Sequence, residues 1–299
     1  MNGAAEAAVN AQKKISGFRR VPPKQWFKLA VYSLLFINFL VYVTNDLVRM
    51  IHTVNTSWTW FDWTSAFATT LDVAAWLLLL MLFELETYVL SDDAFTQRRV
   101  QAMQALRLLC VLVIGHTIFA FGDYLYKLQT ERVHHTDVDL CSLAGQELSY
   151  THNLEYWDLT TETCESLATG REYFQFDKNE LITDPKGWKT EWGLAWSDFI
   201  EVVVWLLILG LTELMVRLQD RGVTRGRLMR SIRASKAIFY GVLWSVAGYW
   251  VTLGHYVFAW DQALWILGFM VIGMNLSARR DEIEANHPDS ADSVIEPAH

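Results

Sequence analysis

Apolar residues in this chain do not recur at a helix or strand period. They come in long blocks with few charges, and such blocks read as membrane spans, because ~20 helical residues cross the ~30 Å hydrocarbon core. The blocks predict six helices, at 26–48, 64–90, 105–126, 192–218 and 237–256, with a sixth ending near Leu276. Residues 1–25 form a polar, basic arm, set off by Pro22-Pro23. The Arg19-Arg20 pair ahead of an apolar run is similar to a twin-arginine signal. The two prolines after it, and the lack of a small-residue cleavage site beyond the span, favour an uncleaved arm. Between the third and fourth helices lies a polar insert, 127–191, which at roughly 65 residues is too long for a bare loop and is expected to be a small domain or a partly ordered cap. The tail, 277–299, is acidic, contains proline and reads as disordered.

Composition agrees with the pattern: 52% of residues are hydrophobic and 14 are tryptophan. The formal net charge of −8 says less than the placement of the charges. The arm, the 91–107 loop, the 219–236 loop and Arg279-Arg280 are basic; the insert is acidic, and Trp58, Trp60 and Trp63 crowd the loop after the first helix. With six spans, all the basic segments share one side. The positive-inside rule then puts both termini in the cytoplasm and the insert outside, in the cell (inner) membrane, with the tryptophans at the outer interface. No Lys/Arg stripe with interleaved aromatics points to nucleic acid. No P-loop, nucleophile elbow, HExxH or dinucleotide glycine pattern is present, so nothing argues for an enzyme and no cofactor is expected. The expected partners are the lipid bilayer and a protein recognised by the insert.

Cys141 and Cys164 both fall in the insert, where an oxidising compartment lets them pair, and such a bridge would contribute ~3 kcal/mol to a small acidic domain. Cys110, alone in the third helix, reads as a small buried apolar residue.

The stretch from Asp72 to Glu86 recurs, altered, from Glu201 to Met215. Without gaps, Trp63 falls on Trp192, Asp72 on Glu201, Trp76 on Trp205, Glu84 on Glu213 and Leu85 on Leu214. The match continues through Arg98 on Arg227, Ala105 on Ala234 and Arg107 on Lys236; after a three-residue shift, Gly122-Asp123-Tyr124 falls on Gly254-His255-Tyr256. Helices two–three and four–five thus read as two copies of one hairpin, related by a pseudo-two-fold axis along the membrane normal. Coincidence between two Leu-rich helices is the alternative. The fold class expected is an all-α polytopic membrane protein, a six-helix transmembrane bundle with a duplicated parallel helical hairpin and a small extracytoplasmic insert.

Carboxylates inside apolar runs are costly and mark ion or proton paths by default. Asp72 and Glu201 fall in the outer half of their helices, with Asp198 one turn further out and Asp123 and His255 near the outer ends of theirs. These five are expected to converge on an outward-opening polar cavity. Each of Asp72 and Glu201 stands four residues before a tryptophan, one turn away on the same helix. Carboxylates clustered in a low dielectric hold protons more tightly than in water and exchange them near neutral pH. The alternative is that these acids are hydrated or paired near the interface. Glu84 and Glu213 lie near the basic inner loops and read as structural ion pairs or as the inner end of a path. Twelve residues of helix rotate by ~120°, so Asp72 and Glu84 do not share a face. Glu86, matched by Met215, matters least. His116 reads as a hydrogen-bonded core histidine, and His134-His135 with Asp137 and Asp139 as a solvated acidic loop rather than a cation site. The function expected is a cation or proton transporter or channel; the opposing reading is a scaffold, sensor or assembly subunit.

Overall fold

The computed structural model describes residues 23–85, 96–177, 180–223 and 225–269. The expectations for residues 1–22 of the arm, Glu86, the acidic tail and the end of the last helix fall outside these residues, and residues 23–25 of the arm belong to the first helix. Helix α1, Pro23–Thr53, is followed by a turn and by the short helix α2, Trp60–Ala66. Thr59 and Asp62 form a reciprocal capping box at the start of α2, which satisfies its first free N–H groups. Helix α3, Ala68–Glu84, then departs at 67° to α2. The helix expected to begin at residue 64 is therefore broken at Phe67, and Trp60 and Trp63 lie on a helix instead of a loop. Neither proline nor glycine causes the break. Asp46 of α1 reaches across and accepts from the Thr70 N–H at 2.9 Å, capping α3 from outside its own segment.

Helix α4, Gln97–Thr130, leads into a sheet, so the chain is mostly helical but not all-α. Strands β1 (Val133–Thr136), β2 (Ser149–His152), β3 (Glu155–Asp158), β4 (Glu172–Phe176) and β5 (Leu181–Thr183) lie in the order β1-β4-β5-β2-β3. All neighbours are antiparallel except β2 and β5. A 3-10 turn, Leu140–Leu143, and the short helix α5, Cys164–Leu167, sit between strands and are bridged by the Cys141–Cys164 disulfide. Short stretches rich in aromatic and β-branched residues, such as Glu172–Phe176, suit a pleated surface with one buried face. Tyr173, Ile182 and Leu140 close over that face.

Helix α6, Pro185–Asp220, starts one residue after β5. Asp184 caps it by accepting from the Gly187 N–H at 2.6 Å, and Pro185 stands where its missing N–H costs nothing. The folded insert therefore feeds into α6 without a flexible joint. Helix α7, Arg227–Thr252, and a last helix, α8, over 256–269, complete the described chain. Gly193 of α6 admits the Tyr249 side chain of α7, which a Cβ there would strike.

One apolar core draws on Leu35 of α1, Trp76 of α3, Ile114 of α4, Ile208 of α6, Leu243 of α7 and Ile266 of α8. The outward faces are also apolar: Phe36, Ile37, Leu108, Leu112, Phe119 and Leu207 are all exposed. Apolar side chains on both faces of a helix are the mark of a membrane-embedded protein. Three helices among the described residues are long and apolar enough to cross a bilayer, at Leu29–Thr53, Gln97–Thr130 and Pro185–Gln219, and the bent α2–α3 pair makes a fourth if counted as one span. In α7, serine, glycine, tyrosine and tryptophan dilute the apolar run, and the described part of α8 is short.

Candidate functional site

The sheet sits over one end of the helices. Arg49, near the end of α1, is the centre of that junction. Its Nη2 lies 3.1 Å from Asp177 of the insert, and its guanidinium lies over the Tyr124 ring, 4.5 Å from the centroid. Tyr124 in turn donates its hydroxyl to Glu191 Oε1 at 2.6 Å. Nearby, the His52 ring stacks on Tyr156 and lies 3.1 Å from Asp158, and Asn55 donates to Glu180 at 3.0 Å. Burial pushes the Tyr156 phenol well above its ordinary value, so it stays neutral.

Below Arg49 opens a cavity of about 120 Å³, lined on its polar side by Arg49, Asp123, Lys127, Asp177, Glu191 and Asp198. Two of the expected site residues, Asp123 and Asp198, thus share one cavity. Asp123 is neutralised by Lys127 at 2.7 Å, one turn along its own helix. Asp198 has no such partner; it lies within electrostatic reach of Glu191 and Arg49. Glu201, one turn deeper, feels Asp198, Asp72 and Asp261. Among the described residues, no lysine or arginine comes within ion-pair distance of Asp72, Asp198, Glu201 or Asp261.

The repeat-matched tryptophans meet at the centre. Trp76 and Trp205 lie 6.1 Å apart between ring centroids, and Trp205 packs against Phe269 at 4.9 Å. Trp205 Nε1 makes a long bond, 3.5 Å, to Gln262 Oε1. The Asp72 Oδ1, Trp76 Nε1 and Gln262 Nε2 atoms are buried with no hydrogen-bond partner among the described residues. Buried polar atoms are rarely left so, and unpaired ones collect at functional sites. On the far side, Asp261 is buried in α8, accepting from Asn38 Nδ2 at 2.8 Å and from the Tyr42 hydroxyl at 3.0 Å.

His255 is not with these groups. It stands in the turn between α7 and α8, stacks on Phe258, and its Nε2 lies 2.9 Å from Asn153 Oδ1 at the β2–β3 tip. Glu84 and Glu213 lie toward the opposite end. Tyr32 donates to Glu84 Oε1 at 2.5 Å, and Arg217 Nε lies 2.8 Å from Glu213 on the same helix. His116 packs edge-on against Phe61, its Nε2 buried without a partner. His134 stacks on Phe174 at 4.5 Å, and His135 bonds to Gln175 at 2.8 Å, both within the sheet. Cys110 is buried in the core.

No protein-family model, curated protein or solved structure matches this chain. The site therefore stands on its own geometry. Sequence reasoning named Asp72, Glu201, Asp198 and Asp123 as candidates and did not single out Arg49, Asp46, Glu191 or Asp261. Asp46 and Arg49 sit at the end of the first apolar block, where charges look interfacial. Asp261 looked like a turn residue. The available signal was polarity itself, since Asn38, Tyr42 and Asp261 all interrupt apolar helices.

Proposed function

We propose that the chain is a multi-pass membrane protein that passes protons or small cations from the cavity below Arg49 into the helix core. The observation that carries this is the row of carboxylates Asp198, Glu201, Asp72 and Asp261. Each lies within electrostatic reach of Glu201 or is Glu201 itself, and among the described residues no lysine or arginine pairs with any of them. Such a row is costly in an apolar bundle, and among the described residues only Asp261 of the four is held by structural hydrogen bonds to another helix. A charge or proton entering at Asp198 finds the next acceptor one turn inward at Glu201. The contact of Trp76 with Trp205 supports a duplicated, parallel hairpin with Asp72 and Glu201 as equivalent groups. Six crossings, both termini cytoplasmic, the insert outside and an inner-membrane location complete the reading. They rest on the basic loops and on the exposed apolar faces.

Purified protein in liposomes carries a proton or cation flux, and Asp72→Asn with Glu201→Gln abolishes it while the protein stays folded. Normal flux in that double variant would sink the site; no flux in the wild type under any gradient would favour the scaffold reading. One observation favours that second reading. The insert is pinned to the helices by Arg49, His52 and Asn55, so a partner bound to the sheet would bear on α1 directly.

A further inference from the structure

A second cavity, about 240 Å³, lies where the sheet meets the ends of α4 and α6; it is lined by Gln129, Arg132, Trp188, Lys189 and Trp192. The charges here run against their surroundings. The insert is acidic, and Arg171, also in it, is neutralised by Asp137 at 2.6 Å. Arg132 has no carboxylate partner among the described residues. Its guanidinium is held over aromatic faces instead, 5.1 Å from the Trp188 centroid and 5.6 Å from that of Phe174. Trp188 is itself fixed edge-on to Phe176 at 5.6 Å, so the platform under Arg132 is rigid. Lys189, exposed and without an ion-pair partner among the described residues, is the next residue of α6.

The depth of this cavity narrows its ligand. Helix α4 has 34 residues and α6 has 36, or ~51–54 Å at the α-helical rise, longer than a whole bilayer with its headgroups, ~40–45 Å. Gln129 and Lys189 lie near the outer ends of the two helices, at headgroup level. Trp192 and Trp196 follow one and two turns further in, as tryptophans do at an interface. A guanidinium on an aromatic platform beside an ammonium and an amide matches a phosphate diester: two cations for its oxygens and indoles for the glycerol and upper acyl carbons.

We propose that this cavity binds the phosphate of a phospholipid headgroup from the outer leaflet. The proposal rests on the membrane reading with the insert outside and is independent of ion passage. The source is the lipid and not free phosphate, because Trp192 of the lining packs on the exposed Trp196, which leads into the apolar run of α6.

The test uses full-length protein in detergent, with phosphatidylglycerol and inorganic phosphate as separate probes. Native mass spectrometry is expected to show phosphatidylglycerol retained by the wild type, with retention falling about tenfold in Arg132→Gln/Lys189→Gln. The charge-preserving Arg132→Lys/Lys189→Arg retains the lipid, which separates loss of the site from loss of the fold. Equal retention by wild type and the glutamine variant overturns the proposal. So does thermal stabilisation by inorganic phosphate with none by phosphatidylglycerol.

Discussion

At the residue scale, Asp261 shows how an acid in an apolar core can be structural and part of a site at once. Its two carboxylate oxygens take one donor each, from Asn38 and from Tyr42, and tie α8 to α1. Removing the acceptor leaves two buried donors unpaired, at about 1–3 kcal/mol each. Asp261→Ala is therefore expected to lower the melting temperature in detergent markedly, and Asp261→Asn less, because the amide oxygen still accepts. Adding Tyr42→Phe to Asp261→Ala should recover part of the loss, since it removes an orphaned hydroxyl. If Asp261→Ala melts with the wild type, the bonds carry no weight. Asp72 differs in kind: its Oδ1 has no hydrogen-bond partner among the described residues, so Asp72→Asn is expected to cost less stability than Asp261→Ala while flux falls.

At the scale of elements, the break at Phe67 turns the start of α3 into a helix N-terminus inside the protein. Its free N–H groups carry partial positive charge, and Phe67 offers no side-chain cap. Asp46 fills that role through the Thr70 N–H. Asp46→Ala is expected to cost about 0.5–2 kcal/mol, the usual worth of a cap, and to speed hydrogen exchange at the Thr70 amide roughly fivefold. Asp46→Asn should stay near the wild type. Unchanged exchange in Asp46→Ala would mean that the break is held by packing alone. The apolar blocks showed where helices run, because burial in lipid demands them. They could not show the break, because its cap comes from another helix and neither Pro nor Gly marks it. The insert escaped for a related reason: short strands at β2, β3 and β5 carry too few residues for a period to register. Trp76 and Trp205, matched by an ungapped register in the sequence, lie in contact, a nearness that could be read without tertiary knowledge.

At the scale of the whole molecule, the contacts between the insert and the helices include two at separate places in the insert. One is the Arg49–Asp177 pair. The other is the β2–β3 tip, where Asn153 and Leu154 both adopt left-handed φ values, 56° and 64°. That geometry suits asparagine and strains leucine, and the strain is offset because Leu154 packs with Leu194 and Trp250 of the bundle. Asn153 donates to the Leu253 carbonyl at 3.0 Å, which turns its Oδ1 toward His255. Burial lowers the His255 imidazole below its ordinary 6.5, with Glu155 opposing weakly. The undocked tip leaves His255 in water, where it binds a proton more readily. The contribution of His255 to docking is thus fully present above about pH 6.5 and diminishes as pH falls below it. Hydrogen exchange at the 153–154 amides, corrected for intrinsic rates, should therefore be faster relative to the rest of the sheet at pH 5.5 than at pH 7.5. His255→Gln keeps a donor but cannot titrate, so the pH difference should vanish in that variant. If it persists there, the acid-sensitive group lies elsewhere, and the carboxylates around Arg49 become the next to examine.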